Sequence, residues 1–280
     1  MPDDPASYDR YGVMGYPISH SRSPVIHQLF ALQTGQAIRY EQLQVAPEKL
    51  EQAVRQFQRT GGRGLNITVP HKMAVAAICD QLSERARKAG AVNTLAFQDG
   101  EIFGDNTDGI GLVRDLEANL RFPLNGKRIL VLGAGGATQG IVGPMLGRRP
   151  AVLAVANRTL SRAEALLERF DNAPALAAHA FDAVPAAAPY DLVVNATSAG
   201  LKGESPPYPK AAVGAQTLCY DLSYSAGPTP FVSWARQHNA GAAVMGWGML
   251  VEQAAESFHL WRGVRPDTAP VLKQISVSAS

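Results

Sequence analysis

The chain has 280 residues, 46% of them hydrophobic and 18% charged, with a formal net charge of +2. That is enough chain for one large globular domain or two ordinary ones with ample cores. Charges of both signs are spread along it, so no basic block or acidic tail points to nucleic acid, and no apolar run nears the roughly twenty residues that cross a bilayer.

The N-terminal segment lacks the positive and apolar regions of a signal peptide. The cysteines, Cys79 and Cys219, stand far apart with no Cys-x-x-Cys spacing, which reads as buried thiols in a cytoplasmic chain. The Asn-x-Thr sequences starting at Asn66, Asn157 and Asn195 then carry no meaning for glycosylation.

Short β-rich runs alternate with helical patterns, which predicts α/β architecture and mostly parallel sheets. In the first hundred residues strands are expected at Tyr11–Met14, Arg39–Val45, Gly64–Val69, Thr94–Gln98 and Glu101–Phe103. The last two flank Asp99-Gly100, a two-residue hairpin signal. Helices are expected near Pro24–Gln33, Pro47–Arg59 and Ser83–Ala89, with Pro24 and Pro47 in first-turn positions. A helical stretch from Thr107 to Leu120 leads to the turn-rich Pro123-Leu-Asn-Gly126.

A second alternating series follows, with strands at Arg128–Leu132, Val152–Ala156, Leu192–Ala196, Thr217–Leu222 and Ala242–Met245. The Ala-rich stretch Ala173–Ala188, interrupted by prolines, reads as loop plus short helix. From Gly246 the pattern is helical to about Arg262, with a short closing helix after Pro266.

Ile129-Leu-Val-Leu132 runs directly into Gly133-Ala-Gly-Gly-Ala-Thr138 and then a helical pattern. Glycines there permit a tight turn and let backbone N–H groups of Gly133, Ala134, Gly135, Gly136 and Ala137 approach a pyrophosphate at a helix N-terminus. The run departs from strict G-x-G-x-x-G, since Thr138 holds the last position; strand, helix and second strand at the right distance supply the context. At the end of that second strand an NAD-binding unit places an acid on the ribose 2′-hydroxyl. This chain has Asn157-Arg-Thr159 and then Arg162, and Arg158 and Arg162 are suited to clamp a 2′-phosphate, which points to NADP. A capping box of Ser161 and Glu164 is the plainer use of the same segment.

Polar clusters stand where strands end: Gly15-Tyr-Pro-Ile-Ser-His-Ser-Arg-Ser-Pro24, Asn66-Ile-Thr-Val-Pro-His-Lys72, Gly90-Ala-Val-Asn-Thr94, Gly104-Asp-Asn-Thr-Asp-Gly109 and Gly246-Trp-Gly-Met-Leu-Val-Glu-Gln253. In order and approximate spacing the set resembles the shikimate dehydrogenase family, from about Tyr11 to the C-terminal helix. The resemblance implies that Ser21 and Ser23 bind the substrate carboxylate with help from Tyr224, and that Thr68, Asn93, Asp108 and Gln253 hold its hydroxyls. It also implies backbone contacts from Leu222 and Gly246 to the nicotinamide end of NADP, with Asn195-Ala-Thr-Ser198 bordering the cofactor. Lys72 and Asp108 are the expected catalytic pair, an ammonium beside a carboxylate that can polarise a carbonyl and relay a proton. Ser21 and Ser23 could equally cap the helix at Pro24, and Asn93 and Asp108 could satisfy loop backbone.

His20 and His71 adjoin these motifs but stay outside the catalytic set. Asp105–Gly109 lacks the ligands of a calcium loop, and no spaced His, Cys or carboxylate cluster predicts a metal. The expected architecture is two α/β domains around a cleft: residues 1–108 with 246–280 binding substrate on a mixed, mostly parallel sheet, and 109–245 a Rossmann-like NADP-binding domain. The expected activity is NADPH-dependent interconversion of 3-dehydroshikimate and shikimate in chorismate and aromatic amino acid biosynthesis, by a cytoplasmic monomer or homodimer without membrane or nucleic-acid partners. A quinate/shikimate dehydrogenase using NAD or both cofactors, and a non-catalytic NADP sensor, are the alternatives.

Overall fold

Two six-stranded sheets, each packed against helices, take up the alternating pattern of the sequence. The computed structural model describes residues 8–171, 173–185, 189–197 and 207–277. The chain divides into two units: one runs through Gly111 and takes up Val251–Ile275, and the other is Leu112–Leu250.

The first unit contains β1 (Asp9–Gly15), α1 (Ser23–Thr34), β2 (Ile38–Gln44), α2 (Leu50–Arg59), β3 (Gly62–Ile67), β4 (Gln81–Leu82), α3 (Glu84–Ala89), β5 (Thr94–Gln98), β6 (Glu101–Asp105) and the start of α4 (Asp108–Arg114). Strand order is β2-β1-β3-β5-β6-β4. Strands β2, β1 and β3 run parallel, β5 is antiparallel to both its neighbours, and β4 pairs parallel with β6, so the sheet is mixed as expected. Asp99 and Gly100 both take positive φ, 52° and 86°, and close the β5–β6 hairpin at Gln98 and Glu101. Leu50, Val54 and Phe57, one face of α2, pack with Met14, Leu65, Ile67 and Leu95 from the sheet.

The second unit contains β7 (Arg128–Leu132), α5 (Gly136–Leu146), β8 (Val152–Asn157), α6 (Leu160–Glu168), β9 (Leu176–Ala180), β10 (Leu192–Asn195), β11 (Leu218–Asp221), α7 (Pro230–Gln237) and β12 (Ala242–Met245). Every strand pair is parallel, in the order β12-β11-β10-β7-β8-β9. Counted from β7, that is the doubly wound order of a dinucleotide-binding sheet. Strand residues alternate between two cores: Ile129, Val131, Leu153, Val155, Leu192 and Val194 meet α5 and α6, while Leu130, Leu132, Ala154, Val193 and Cys219 meet α7. Burial on both faces explains why these strands read as continuous apolar runs.

Helix α8 (Trp247–Arg262) then carries the chain back, and α9 (Thr268–Val277) closes it. The later turns of α8 belong to the first unit, where Trp261 stacks on Tyr11 at 4.7 Å and donates to the Leu95 carbonyl at 2.9 Å.

Several local expectations are corrected. The stretch read as loop plus short helix contains strand β9, which pairs along the edge of β8; Ala-rich sequence has little strand propensity, and sheet pairing overrides it. Residues 186–188 of that stretch lie outside the described residues. The helix expected at Thr107–Leu120 is α4 followed by a single π turn, Asp115–Asn119. Helix α6 starts after Thr159 with no side-chain cap, so Ser161 and Glu164 form no capping box. Ser23 is not a cap either: Arg22 holds that position in α1 without a side-chain bond.

His27, on α1, is fully buried against Tyr40 (4.2 Å, stacked), Phe30, Phe258 and Trp261, and neither ring nitrogen has a hydrogen-bond partner. Burial drives its pKa down to about 3, opposed only in part by the Asn66 amide. The unfolded chain binds a proton here below about pH 6.5 and the folded one does not, so this stability is present above that pH and declines as pH falls toward 3. Between pH 6.5 and 5 the loss is expected to approach about 1.4 kcal/mol per pH unit, read as a falling urea midpoint. His27→Phe should flatten that decline, and an unchanged slope in the variant would locate the acid sensitivity elsewhere.

Candidate active site

The carboxyl ends of the parallel strands β1 and β3 launch the first two motif loops side by side. Tyr16 N–H donates to the Val69 carbonyl at 3.0 Å and Thr68 N–H to the Met14 carbonyl at 2.9 Å. In the first loop, Ser21 Oγ accepts from the Ser23 N–H at 3.3 Å and the Ser21 carbonyl accepts from Gln42 at 2.8 Å; Ser23 is buried at the start of α1. In the second, His71 is buried and its Nε2 is committed to the Val45 carbonyl at 2.7 Å, which makes it a fastening for the loop. Lys72 follows, its carbonyl accepting from the Val92 N–H at 2.8 Å.

Lys72, Asn93, Asp108 and Gln253, from four separate segments, converge. Lys72 Nζ donates to Asp108 Oδ2 at 2.6 Å, with the two side chains 15% and 4% exposed. Asn93 Nδ2 faces Asp108 Oδ1 at 2.8 Å, Thr107 Oγ1 at 2.9 Å and Gln253 Oε1 at 3.2 Å. Asn93 Oδ1 accepts from the Thr107 N–H at 2.8 Å and from Thr94 Oγ1 at 2.9 Å. Beneath this layer, Asn66 Nδ2 donates to Ser257 Oγ at 3.0 Å and to Thr94 Oγ1 at 3.2 Å, and its Oδ1 accepts from Tyr40 at 2.7 Å. Asn66, Thr94, Thr107 and Ser257 belong to the network although sequence reading gave them no role. Ser257 lies one helical turn after Gln253, a spacing that could have flagged it.

A second ionic cluster braces the same motif. Asp105 takes two bonds from Arg85, 2.7 and 2.5 Å, and one from Ser83, the side-chain cap of α3. Burial pushes the Asp105 carboxyl up, but the bonds from Arg85 and Ser83 outweigh it and hold the group below its ordinary range. Glu256 lies 3.7 Å from Arg85 and 2.6 Å from Arg265, which also binds Glu252 at 2.8 Å, so α8 is tied to α3 and β6 through charge.

In the second unit the glycine run stands where the strand order reverses, between β7 and β10, the position at which open α/β sheets bind ligands. Gly133 has φ of 100°, and a side chain there would press on the Ala196 backbone at 3.2 Å. Gly135 precedes α5 with open space on its Cβ side, so the first-turn N–H groups of α5 can be approached closely. At the end of β8, Asn157 Nδ2 bonds the Thr159 carbonyl at 2.8 Å, and Arg158, Thr159 and Arg162 are exposed. Neither guanidinium has a hydrogen-bond or ion-pair partner among the described residues. Residues 157–163 hold no carboxylate, and the donor set fits a dinucleotide carrying a 2′-phosphate.

Leu222 and Gly246 sit together after β11 and β12: the Leu222 N–H donates to the Asn195 carbonyl at 2.9 Å and the Gly246 N–H to the Ser223 carbonyl at 3.1 Å. Asp221 is buried, and burial raises its carboxyl above the ordinary range. It accepts from Asn195, the Ser223 N–H and Thr229, joining two strand ends to the cap of α7. Tyr224 packs against Trp247 at 4.5 Å. Ser198 lies outside the described residues. Among the described residues no group of three or more His, Cys, Asp or Glu side chains could hold a metal ion, and no helix is long and apolar enough to cross a membrane.

A dinucleotide sheet joined to a separate α/β unit that carries a hydroxyl-rich lysine–aspartate centre belongs to the two-domain nicotinamide-dependent oxidoreductases. Family models agree along most of the chain: the shikimate dehydrogenase substrate binding domain matches residues 13–95, shikimate / quinate 5-dehydrogenase residues 116–202, and the shikimate 5′-dehydrogenase C-terminal domain residues 246–275. A shikimate dehydrogenase (NADP(+)) of Alkalilimnicola ehrlichii is 54% identical over 94% of this chain and 97% of its own length. Among solved structures, an Ael1 enzyme from Pseudomonas putida is similar with a TM-score of 0.88 and 44% identity, over 97% of this chain and all (100%) of that one. Shikimate 5-dehydrogenase from Thermus thermophilus, in complex with NADP(H) and shikimate, has a TM-score of 0.84 and 33% identity over 97% of this chain and 100% of its own. The chain belongs to the shikimate dehydrogenase family.

Asn93→Ala removes the group that Asp108, Thr107, Thr94 and Gln253 share. It is expected to destabilise the chain by about 1–3 kcal/mol in urea unfolding, since the partners stay buried. An unchanged midpoint would mean that water replaces the amide without loss.

Proposed function

We propose that this chain catalyses the reversible NADPH-dependent reduction of 3-dehydroshikimate to shikimate, a step toward chorismate and the aromatic amino acids. The observation that carries this reading is the 2.6 Å pair between Lys72 Nζ and Asp108 Oδ2, set among amide and hydroxyl groups in a chain of this family. Bound NADPH supplies a hydride to the ketone carbon, and NADP+ accepts it in the reverse direction.

Lys72 donates a proton to the ketone oxygen as its carbon is reduced, and takes that proton back from the hydroxyl during oxidation. Asp108 holds the ammonium in place through Oδ2 and is itself held by Asn93 through Oδ1. Ser21 and Ser23, assisted by Tyr224, bind the substrate carboxylate; Thr68, Lys72, Asn93, Asp108 and Gln253 bind its oxygens. Such side chains can exchange bonds with each other for bonds to a polyhydroxylated ring at small net cost. Backbone from Gly133 to Ala137 receives the pyrophosphate, while Arg158 and Arg162, flanked by Asn157 and Thr159, clamp the 2′-phosphate. Leu222 and Gly246 present backbone groups to the nicotinamide end. The enzyme would act in the cytoplasm as a monomer or homodimer, on residues 1–108 with 246–280 for substrate and 109–245 for cofactor.

Oxidation of shikimate by NADP+, followed at the absorbance of NADPH, tests the assignment directly. Lys72→Ala should lower kcat about 10²–10⁴-fold while NADP+ affinity stays at the wild-type value; full turnover by the variant would remove Lys72 from the chemistry. Arg158→Ala should cut the kcat/KM preference for NADP+ over NAD+ about tenfold to a hundredfold, the worth of one or two charge-assisted bonds. A wild-type protein equally active with both cofactors, or more active with quinate, would overturn the stated specificity.

A further inference from the structure

Helix α8 begins on an unusual floor. Asp115, the first residue of the π turn, is buried in the apolar core beside Leu112, Leu116 and Met249. Its Oδ2 accepts from the Tyr220 hydroxyl at 2.6 Å, and its Oδ1 from Asn119 Nδ2 at 2.9 Å. Tyr220, wholly buried on β11, uses the same hydroxyl to accept the Met249 N–H at 3.2 Å. The first turn of α8 lies so close that a Cβ on Gly248 would fall 1.8 Å from Asp115 Oδ1, which only glycine avoids. Two residues back, just before the helix, a Cβ on Gly246 would fall 2.7 Å from the Leu222 carbonyl oxygen.

A carboxylate and a phenol are costly to bury, and an apolar pair of similar size would fill the space without that cost. What this pair adds is direction. It satisfies an orphan N–H of the α8 N-terminus and fixes the turn that carries Gly246. Burial and the nearby Asp115 charge push the Tyr220 phenol well above its ordinary range, so it keeps its proton and remains a donor.

We propose that Asp115 and Tyr220 are positioning residues for the nicotinamide end of the cofactor, acting through the backbone of Gly246–Met249. This rests on the reading that Leu222 and Gly246 face that end. The path runs by hydrogen bonds from Asp115 to Tyr220 and from Tyr220 to Met249, passes along the chain to Leu250, and returns through the Leu250 N–H to the Gly246 carbonyl at 3.0 Å. Neither side chain belongs to the substrate or phosphate sites, so a positional role predicts a selective defect.

The test compares Tyr220→Phe and Asp115→Asn with wild type, using NADP+ and adenosine 2′,5′-bisphosphate, which shares the phosphate clamp but lacks nicotinamide. For Tyr220→Phe the expected result is a kcat about tenfold lower with the KM for shikimate unchanged, because misplaced reacting groups lose rate before binding. Any loss of nucleotide affinity should fall on NADP+ and spare the bisphosphate. Asp115→Asn keeps an acceptor for the phenol and should show a smaller defect of the same kind, which keeps the test open if Tyr220→Phe does not fold. A folded variant with wild-type kcat, or losses shared equally by both nucleotides, would overturn the proposal. A wild-type protein that binds NADP+ without oxidising shikimate would instead sink the functional reading, and the nucleotide comparison would still judge the positioning role.

Discussion

The ion pair between Lys72 and Asp108 sets the terms for the whole first unit. Taking two charges from water costs several kcal/mol per ion, recovered only where geometry is good and the remaining lone pairs are satisfied. Both conditions are met. Asn93 occupies the second oxygen of Asp108, the Asp108 N–H donates to Asn106 Oδ1 at 3.1 Å, and Asn106 Nδ2 is committed to the Ala91 carbonyl at 2.9 Å. Backbone bonds to the Lys72 carbonyl and the His71 side chain fix the other partner from behind. The pair is therefore over-determined from both sides, the condition under which a functional geometry survives thermal motion.

On the proposed function the two units would meet opposite recognition problems. In the first, Lys72, Asn93, Asp108 and Thr107 already have protein partners, and a small hydroxylated ring would call for directed groups of this kind that can trade one bond for another. Asn93, with both ends of its amide engaged, is the extreme case. In the second unit Arg158 and Arg162 stand exposed, as the proposed clamp would require, since a phosphate is held by charge and by donors kept available for it. Asp221 and Asp115, the buried acids of the second unit, act on backbone and strand ends and leave that cationic edge undisturbed.

How far the sequence discloses this depends on the kind of interaction. Ile129–Leu132 and Leu192–Asn195 were legible because strands buried on both faces must be apolar throughout, and the glycine run was legible because a turn at Gly133 excludes other residues. Strand β9 was hidden: alanine carries neither strand propensity nor periodicity, and its pairing to β8 exists only in three dimensions. The π turn at Asp115 was hidden for a similar reason, since the partner of its first side chain is a tyrosine far along the chain. The roles given to Asn93 and Gln253 came from motif resemblance; neither amide differs, as a letter in a sequence, from an ordinary loop or helix residue. Ser257 and His27 passed unnoticed because one serine or histidine on an amphipathic helix carries no signature, although one joins the polar network and the other is a buried neutral base.

The same energetics bear on whether the first unit is only a platform. A protein that merely registered NADP could replace Lys72 and Asp108 with methionine and leucine, a change that is often neutral or stabilising by about 1–4 kcal/mol for buried pairs. Asn93, Thr107 and Gln253 would then have no carboxylate to organise, and Arg85 would have no reason to hold Asp105 so near it. Instead the chain keeps a buried charge pair, the amide that orients it, and an outer ionic cluster that ties α3, β6 and α8 together. Stability alone gives no account of that arrangement. The proposed role of Lys72 would account for it, because a proton donor that acts in both directions of a reaction has to be held against a partner.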